Sequence, residues 1–227
     1  MTVERQRSAE SSRDTARALV PAVAVGASLF IGAGIAQGLT RDGFDMVKHP
    51  LSLLSTGEWG WINIANFVVS GLLYLAGAYG IGRVLHGQPG GVWGPRWLAL
   101  NGIGLIAGGL FVADPSFGFP AGAPPLEPDT MSWHGMLHGV APMVGAVGFI
   151  GAAVVFAWRW RRAGRSGSAA LTVVMLIGYL VLAAMPTNMR NAEGYYNFVP
   201  LWIAGVVAAA WMSLLSARIL AETRDAA

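Results

Sequence analysis

Six apolar runs, each close to the roughly 20 residues that cross the hydrocarbon core of a bilayer, dominate this chain of 227 residues. They extend over Arg17–Leu39, Trp61–Leu85, Arg96–Ala113, His134–Trp158, Ala169–Met185 and Phe198–Leu220. A backbone in lipid must satisfy its own hydrogen bonds, so runs of this length form helices. The expected fold is all-α, a polytopic integral membrane protein with six transmembrane helices. Only 12% of the residues are charged and mean hydropathy is +0.52, against roughly a quarter charged in soluble domains. Residues 17–220 form the single membrane domain, with a leader at 1–16 and a tail at 221–227 that are both expected to lack fixed structure. Arg5, Arg7 and Arg13 precede the first run, as in a signal peptide. Its length and the lack of a small-x-small exit favour an uncleaved anchor instead.

Basic residues set the orientation. With the N-terminus inside, Arg5, Arg7, Arg13, Arg17, Arg83, Arg96, Arg159, Arg161, Arg162, Arg165, Arg218 and Arg224 are cytoplasmic, 12 of the 15 basic residues. Only Arg41, Lys48 and Arg190 are then outside. Both termini are therefore expected in the cytoplasm, in a multi-pass protein of the cell (plasma) membrane whose surroundings are membrane lipid. The net charge of +3 does not point to nucleic acid, because the basic residues stand at run ends and form no continuous face. Trp59, Trp61, Trp93, Trp97, Trp133, Trp158 and Trp160 suit an interfacial belt. Without cysteine, any metal would need His, carboxylate or hydroxyl ligands. The sequence specifies no oligomeric state.

Polar chemistry collects at the outer run ends. In "SWHGMLHG" His134 and His138 lie one helical turn apart, the spacing at which a helix offers two imidazoles to one ion. Interfacial histidines bonded to loops are the alternative. Pro142 removes the N–H that would bond the His138 carbonyl, and Gly135 with Gly139 forms a GxxxG for close helix approach. His49 can supply a third nitrogen, leaving a fourth position open, and zinc is the metal that such a set would take. In "DMVKHPLSLLSTGEWGW" a short helix is expected to lie in the interface, started by Pro50, ended by Gly57 and carrying Ser52. Asn63 and Asn66 share a face of the second run, as glue between helices or as ligand-binding residues. Pro115 should stop the third helix at Asp114. That carboxylate is either a turn starter in water or paired with Arg190, Lys48 or a metal. The loop after it is rich in proline and carries Phe117 and Phe119, so it can act as a lid. Glycines at 77, 80 and 82, at 102, 104, 108 and 109, and at 145, 148 and 151 read as packing faces; no strand precedes "GAYGIGRVL", which excludes a dinucleotide loop.

The segments "HPLSLLSTGEWGWINIANFVVSGLLYLAGAYGIGR", "FVADPSFGFP" and "HGMLHGVAP" resemble the six-helix bacterial membrane family known as domain of unknown function 998. The resemblance runs over nearly the whole chain and implies a fold and a membrane location, with no activity. "MPTNMRNAEGYYNFVP" departs from the Gly-x-x-x-Arg element usual there, which bears on Arg190 as a binding residue. Two function classes follow. One is an outward-facing His/Asp/Ser pocket that binds or scaffolds a small molecule or lipid. The other is a zinc-dependent hydrolase of a lipid-like amide or ester, similar in its polar set to the alkaline ceramidase and progestin/adipoQ-receptor superfamily. There His49, His134 and His138 would hold zinc, Asp114 would handle protons and Ser52 would orient substrate. That group has seven spans and a different histidine spacing. For a transporter the sequence offers no charged residue in mid-span and no evident inverted repeat.

Overall fold

The structure, a computed structural model, describes residue 11 and residues 13–188 and 194–224. Its elements are α1 (Ala22–Thr40), a short 3-10 helix (Leu51–Ser55), α2 (Gly60–Val84), α3 (Trp93–Leu110), α4 (Trp133–Arg162), α5 (Ser166–Asn188) and α6 (Val199–Arg224). Among the described residues there is no strand, only an isolated bridge between Ser116 and Phe119. Helical turns begin already at Arg13 and pass through a break at Val20–Pro21 into α1, where Pro21 interrupts the backbone ladder. Five of these helices are long and apolar enough to cross a membrane. The exception is α3, 18 residues long and carrying Arg96 and Asn101. At about 1.5 Å per residue it spans some 27 Å.

Each helix packs on its neighbours in sequence, and α6 packs back on α1, so the six close into a ring. Glycine decides how tightly α3 is held. A Cβ on Gly71 of α2 would lie 2.6 Å from the Gly102 carbonyl oxygen, and one on Gly104 would lie 2.5 Å from the Gly145 nitrogen of α4. Only backbone-to-backbone approach fits there, as in small-residue membrane interfaces. Gly139 behaves differently: a Cβ there would meet nothing, so the GxxxG at the start of α4 mates with no helix.

At the end where Arg13, Arg83 and Glu222 lie near one another, Glu222 ties three segments together. It pairs with Arg159 at 2.6 Å and with Arg165, and accepts the Trp160 indole N–H at 3.1 Å. Arg159 also donates to the Pro89 carbonyl and the Gln88 amide oxygen. Glu222 thus belongs to the last turns of α6 rather than to a loose tail. Trp160, expected in the interfacial belt, is fully buried for the same reason, whereas Trp59, Trp61, Trp93, Trp133 and Trp158 are exposed.

At the opposite end the proline-rich loop folds inward. Phe117 and Phe119 are buried against Leu53, flanked by Phe44 and Phe198. The 3-10 helix under this lid does not lie in the interface: Leu53, Leu54 and Ser55 are all buried, and the Leu51 side chain reaches Gly34 of α1. A short turn with apolar side chains on opposite sides is better buried from two directions, by the lid above and the bundle below.

Candidate functional site

The ring of helices surrounds a partly open cavity of about 240 Å³ in the half of the bundle beneath the lid. All six helices and the 3-10 helix contribute to its wall, which is mainly apolar: Phe30, Ile31, Phe67, Leu105, Phe149 and Leu201 are among the lining residues. Its polar members are few. Ser52 stands at the upper rim, with His138, Asn101, Tyr74, Tyr179 and Trp202 around the wall. An apolar chamber with a few placed polar groups is the usual form of a small-molecule site.

His138 is held by the end of α3. Its Nδ1 lies 3.1 Å from the Gly108 carbonyl and 2.7 Å from the Phe111 carbonyl. Carbonyls only accept, so Nδ1 carries the proton and donates to both. These are carbonyls that a helix C-terminus leaves without partners. This also explains why α3 stops at Leu110, earlier than Pro115 would require: Phe111 turns to extended geometry and its carbonyl goes to the histidine. The ring is buried yet lines the cavity, and Nε2 has no protein partner among the described residues.

His49 is committed elsewhere. Its Nδ1 accepts the Asp45 amide at 2.9 Å, so Nε2 carries the proton and donates to the Phe117 carbonyl at 2.9 Å. Both nitrogens are engaged by backbone, and neither has a lone pair left for an ion. His134, half-buried, lies tilted against Trp133 with centroids 3.7 Å apart and leans on Phe111. Among the described residues no three His, Asp or Glu side chains are grouped to hold a metal. The three-histidine zinc set is therefore corrected, and the hydrolase reading loses its ligands.

Asp114 is likewise structural. Its two oxygens accept the Ser132 amide at 2.8 Å and the Ser132 hydroxyl at 2.6 Å, while that hydroxyl caps α4 by accepting the Gly135 amide. The compensation expected from a cation comes instead from the positive N-terminus of the next helix. Gly135 permits it, since a Cβ there would lie 2.2 Å from a carboxylate oxygen of Asp114. Asn63 donates to the Leu51 carbonyl and the Ser55 hydroxyl, and Asn66 donates to the Phe30 carbonyl of α1. Both act as glue, and neither lines the cavity. Arg190 lies outside the described residues. Of the sequence candidates among the described residues, Ser52 and His138 line the cavity; His49, Asn63, Asn66, Asp114 and His134 do not.

Asn101, Tyr74 and Tyr179 escaped the sequence reading. Asn101 could have been found as a lone amide in the middle of a glycine-rich apolar run, where a polar side chain needs a partner or a wet space. It donates to the Gly145 carbonyl at 2.6 Å. The two tyrosines carry no such signal, because tyrosine is common in any buried helix face.

The His49 geometry has a pH consequence. Burial lowers its pKa; the Phe117 carbonyl and Asp45 act the other way, and Lys48 adds to the lowering. A histidine depressed on folding contributes stability that is full above its ordinary value near 6.5. That contribution is lost as the pH falls through 6.5 towards the lower folded value, because a proton on Nδ1 would face the Asp45 N–H. Hydrogen exchange at Phe117 and Phe119, corrected for intrinsic rates, is expected to lose protection between neutral pH and about pH 5. Equal protection at both pH values would show that His49 does not fasten the lid.

A family model described as protein of unknown function (DUF998) matches residues 24–218. No curated protein and no solved structure gives a match.

Proposed function

The chain belongs to the DUF998 family, and we propose that it is a six-span protein of the cell membrane that binds the apolar part of a lipid or lipid-like small molecule in its central cavity. One observation carries this: a mainly apolar chamber is walled by all six helices, and its few polar groups stand at fixed positions. The wall is thinnest at α5. Its fully buried residues, Ser168, Ala169 and Thr172, lie at the end away from the lid, and none from Val173 to Met185 is fully buried. Met175, Leu176, Tyr179, Leu182 and Ala183 recur at helical spacing on a half-buried stripe, of which Met175, Leu176 and Tyr179 pack on the core and Tyr179 reaches the cavity. A molecule dissolved in the bilayer has its shortest way in past this helix.

The test is photolabelling of the purified full chain in lipid nanodiscs with a diazirine-bearing alkyl chain. The expected labels fall on Pro142–Phe149 and Met175–Tyr179, and an unlabelled alkyl competitor removes them. Labelling that is spread evenly over lipid-facing residues such as Val25, Leu72 and Val174, with no competition, would defeat the proposal.

The short α3 counts as a span in this reading, both termini lie in the cytoplasm, and the lid faces out. Supporting it are the 12 basic residues assigned to the terminal end. Ala121→Cys in the exposed lid should react with an impermeant thiol reagent on intact cells, and Ser166→Cys should react only after lysis. The reverse pattern would invert the topology.

A further inference from the structure

The polar groups at the cavity wall are few, and among the described residues they include no carboxylate, lysine or arginine, which bears on the ligand. His138 donates from Nδ1 to two carbonyls at the end of α3, so in the neutral imidazole Nε2 is the nitrogen that carries the lone pair. Asn101 gives one N–H to the Gly145 carbonyl, which fixes its amide and leaves Oδ1 and the second N–H without a protein partner among the described residues. Trp202, the wall's one indole donor, already gives its N–H to the His49 carbonyl at 3.3 Å. The hydroxyls of Ser52, Tyr74 and Tyr179 rotate to donate or accept as a ligand requires. Among the described residues no lysine, arginine, aspartate or glutamate lines the chamber.

An anionic head would therefore find neutral donors but no cationic side chain among the described residues to replace its hydration, a costly combination in an apolar site. A hydroxyl or amide N–H finds an acceptor on a ring that two carbonyls immobilise at the wall. Gly145 lies seven residues beyond His138 on α4, so the two acceptors sit about 10 Å apart along the helix axis. The His138 acceptor lies near the lid and the Asn101 acceptor nearer the middle of the bundle.

Resting on the cavity-binding reading above, we propose that the ligand is a neutral amphiphile with a hydroxyl or amide N–H that donates to Nε2 of His138, its apolar part extending past Asn101, and that carboxylates and phosphates are disfavoured.

A matched series tests this on the unmodified full chain in nanodiscs: hexadecanol, its methyl ether, hexadecanoate and hexadecyl phosphate, each competing with the diazirine alkyl probe. The alcohol is expected to compete about five-fold better than the ether, as one net hydrogen bond implies, and both anions less well than the ether. His138→Leu should bring the alcohol down to the ether, while His138→Gln, which keeps a donor for α3 and an acceptor for the cavity, should retain part of the preference. If either anion competes as well as the alcohol, or alcohol and ether are equal on the unmodified chain, this inference fails while cavity binding stands. If no member competes, the cavity-binding reading itself fails. The series needs no variant, so misfolding of His138→Leu cannot hide the outcome.

Discussion

Glu222→Ala is expected to cost about 3–5 kcal/mol of stability, the largest effect of any single substitution considered. Arg159 is 10% exposed at its side chain and Glu222 11%. Removing the carboxylate leaves a buried guanidinium, whose Nε already lacks a partner, facing only the Pro89 carbonyl and Gln88. Trp160 loses its acceptor in the same step. The link to Arg165 adds little, since that side chain is 40% exposed and a pair of this kind is screened by water. Unfolding in mixed micelles, followed by tryptophan fluorescence, gives the number. Replacing both Arg159 and Glu222 by leucine should recover much of the loss, because a buried pair exchanged for apolar groups is close to neutral. A loss below about 1 kcal/mol for Glu222→Ala would mean that water reaches Arg159 freely.

Ala146→Phe should abolish ligand capture while leaving the bundle intact. Ala146 lines the chamber between Pro142 and Phe149, where a ring can enter empty space rather than a packed neighbour. Displacing about 100 Å² of ligand contact forfeits about 2.5 kcal/mol at 25 cal/mol per Å², which weakens binding by more than tenfold. Photolabelling at Met175–Tyr179 is the readout, with thermal unfolding beside it. Undiminished labelling in a folded Ala146→Phe protein would place the ligand elsewhere on the bundle.

The membrane fold was legible because its signals are local. Run length sets helix length, and the chain needs no partner to satisfy its backbone within a helix. The ends agree to within a few residues: Trp61–Leu85 became Gly60–Val84, and His134–Trp158 became Trp133–Arg162. Glycine faces were legible for a similar reason, since Gly104, Gly145 and Gly148 can serve little else in an apolar helix than close approach. Arg159 with Glu222 was not legible, because 63 residues separate the partners and only the ring closure of α6 brings them together.

His49, Asp114 and His138 mark the boundary between the two kinds of knowledge. The sequence by itself determined that these groups stand at helix ends on one side of the bundle, because helical period and proline stops act over a few residues. Only the tertiary structure decided what each group does there. A side chain's chemistry depends on which atom faces it, and the rotation and depth of a helix follow from all the contacts along its length. Thus the Phe117 carbonyl takes the second nitrogen of His49, Ser132 takes both oxygens of Asp114, and two carbonyls of α3 leave His138 one nitrogen for the cavity.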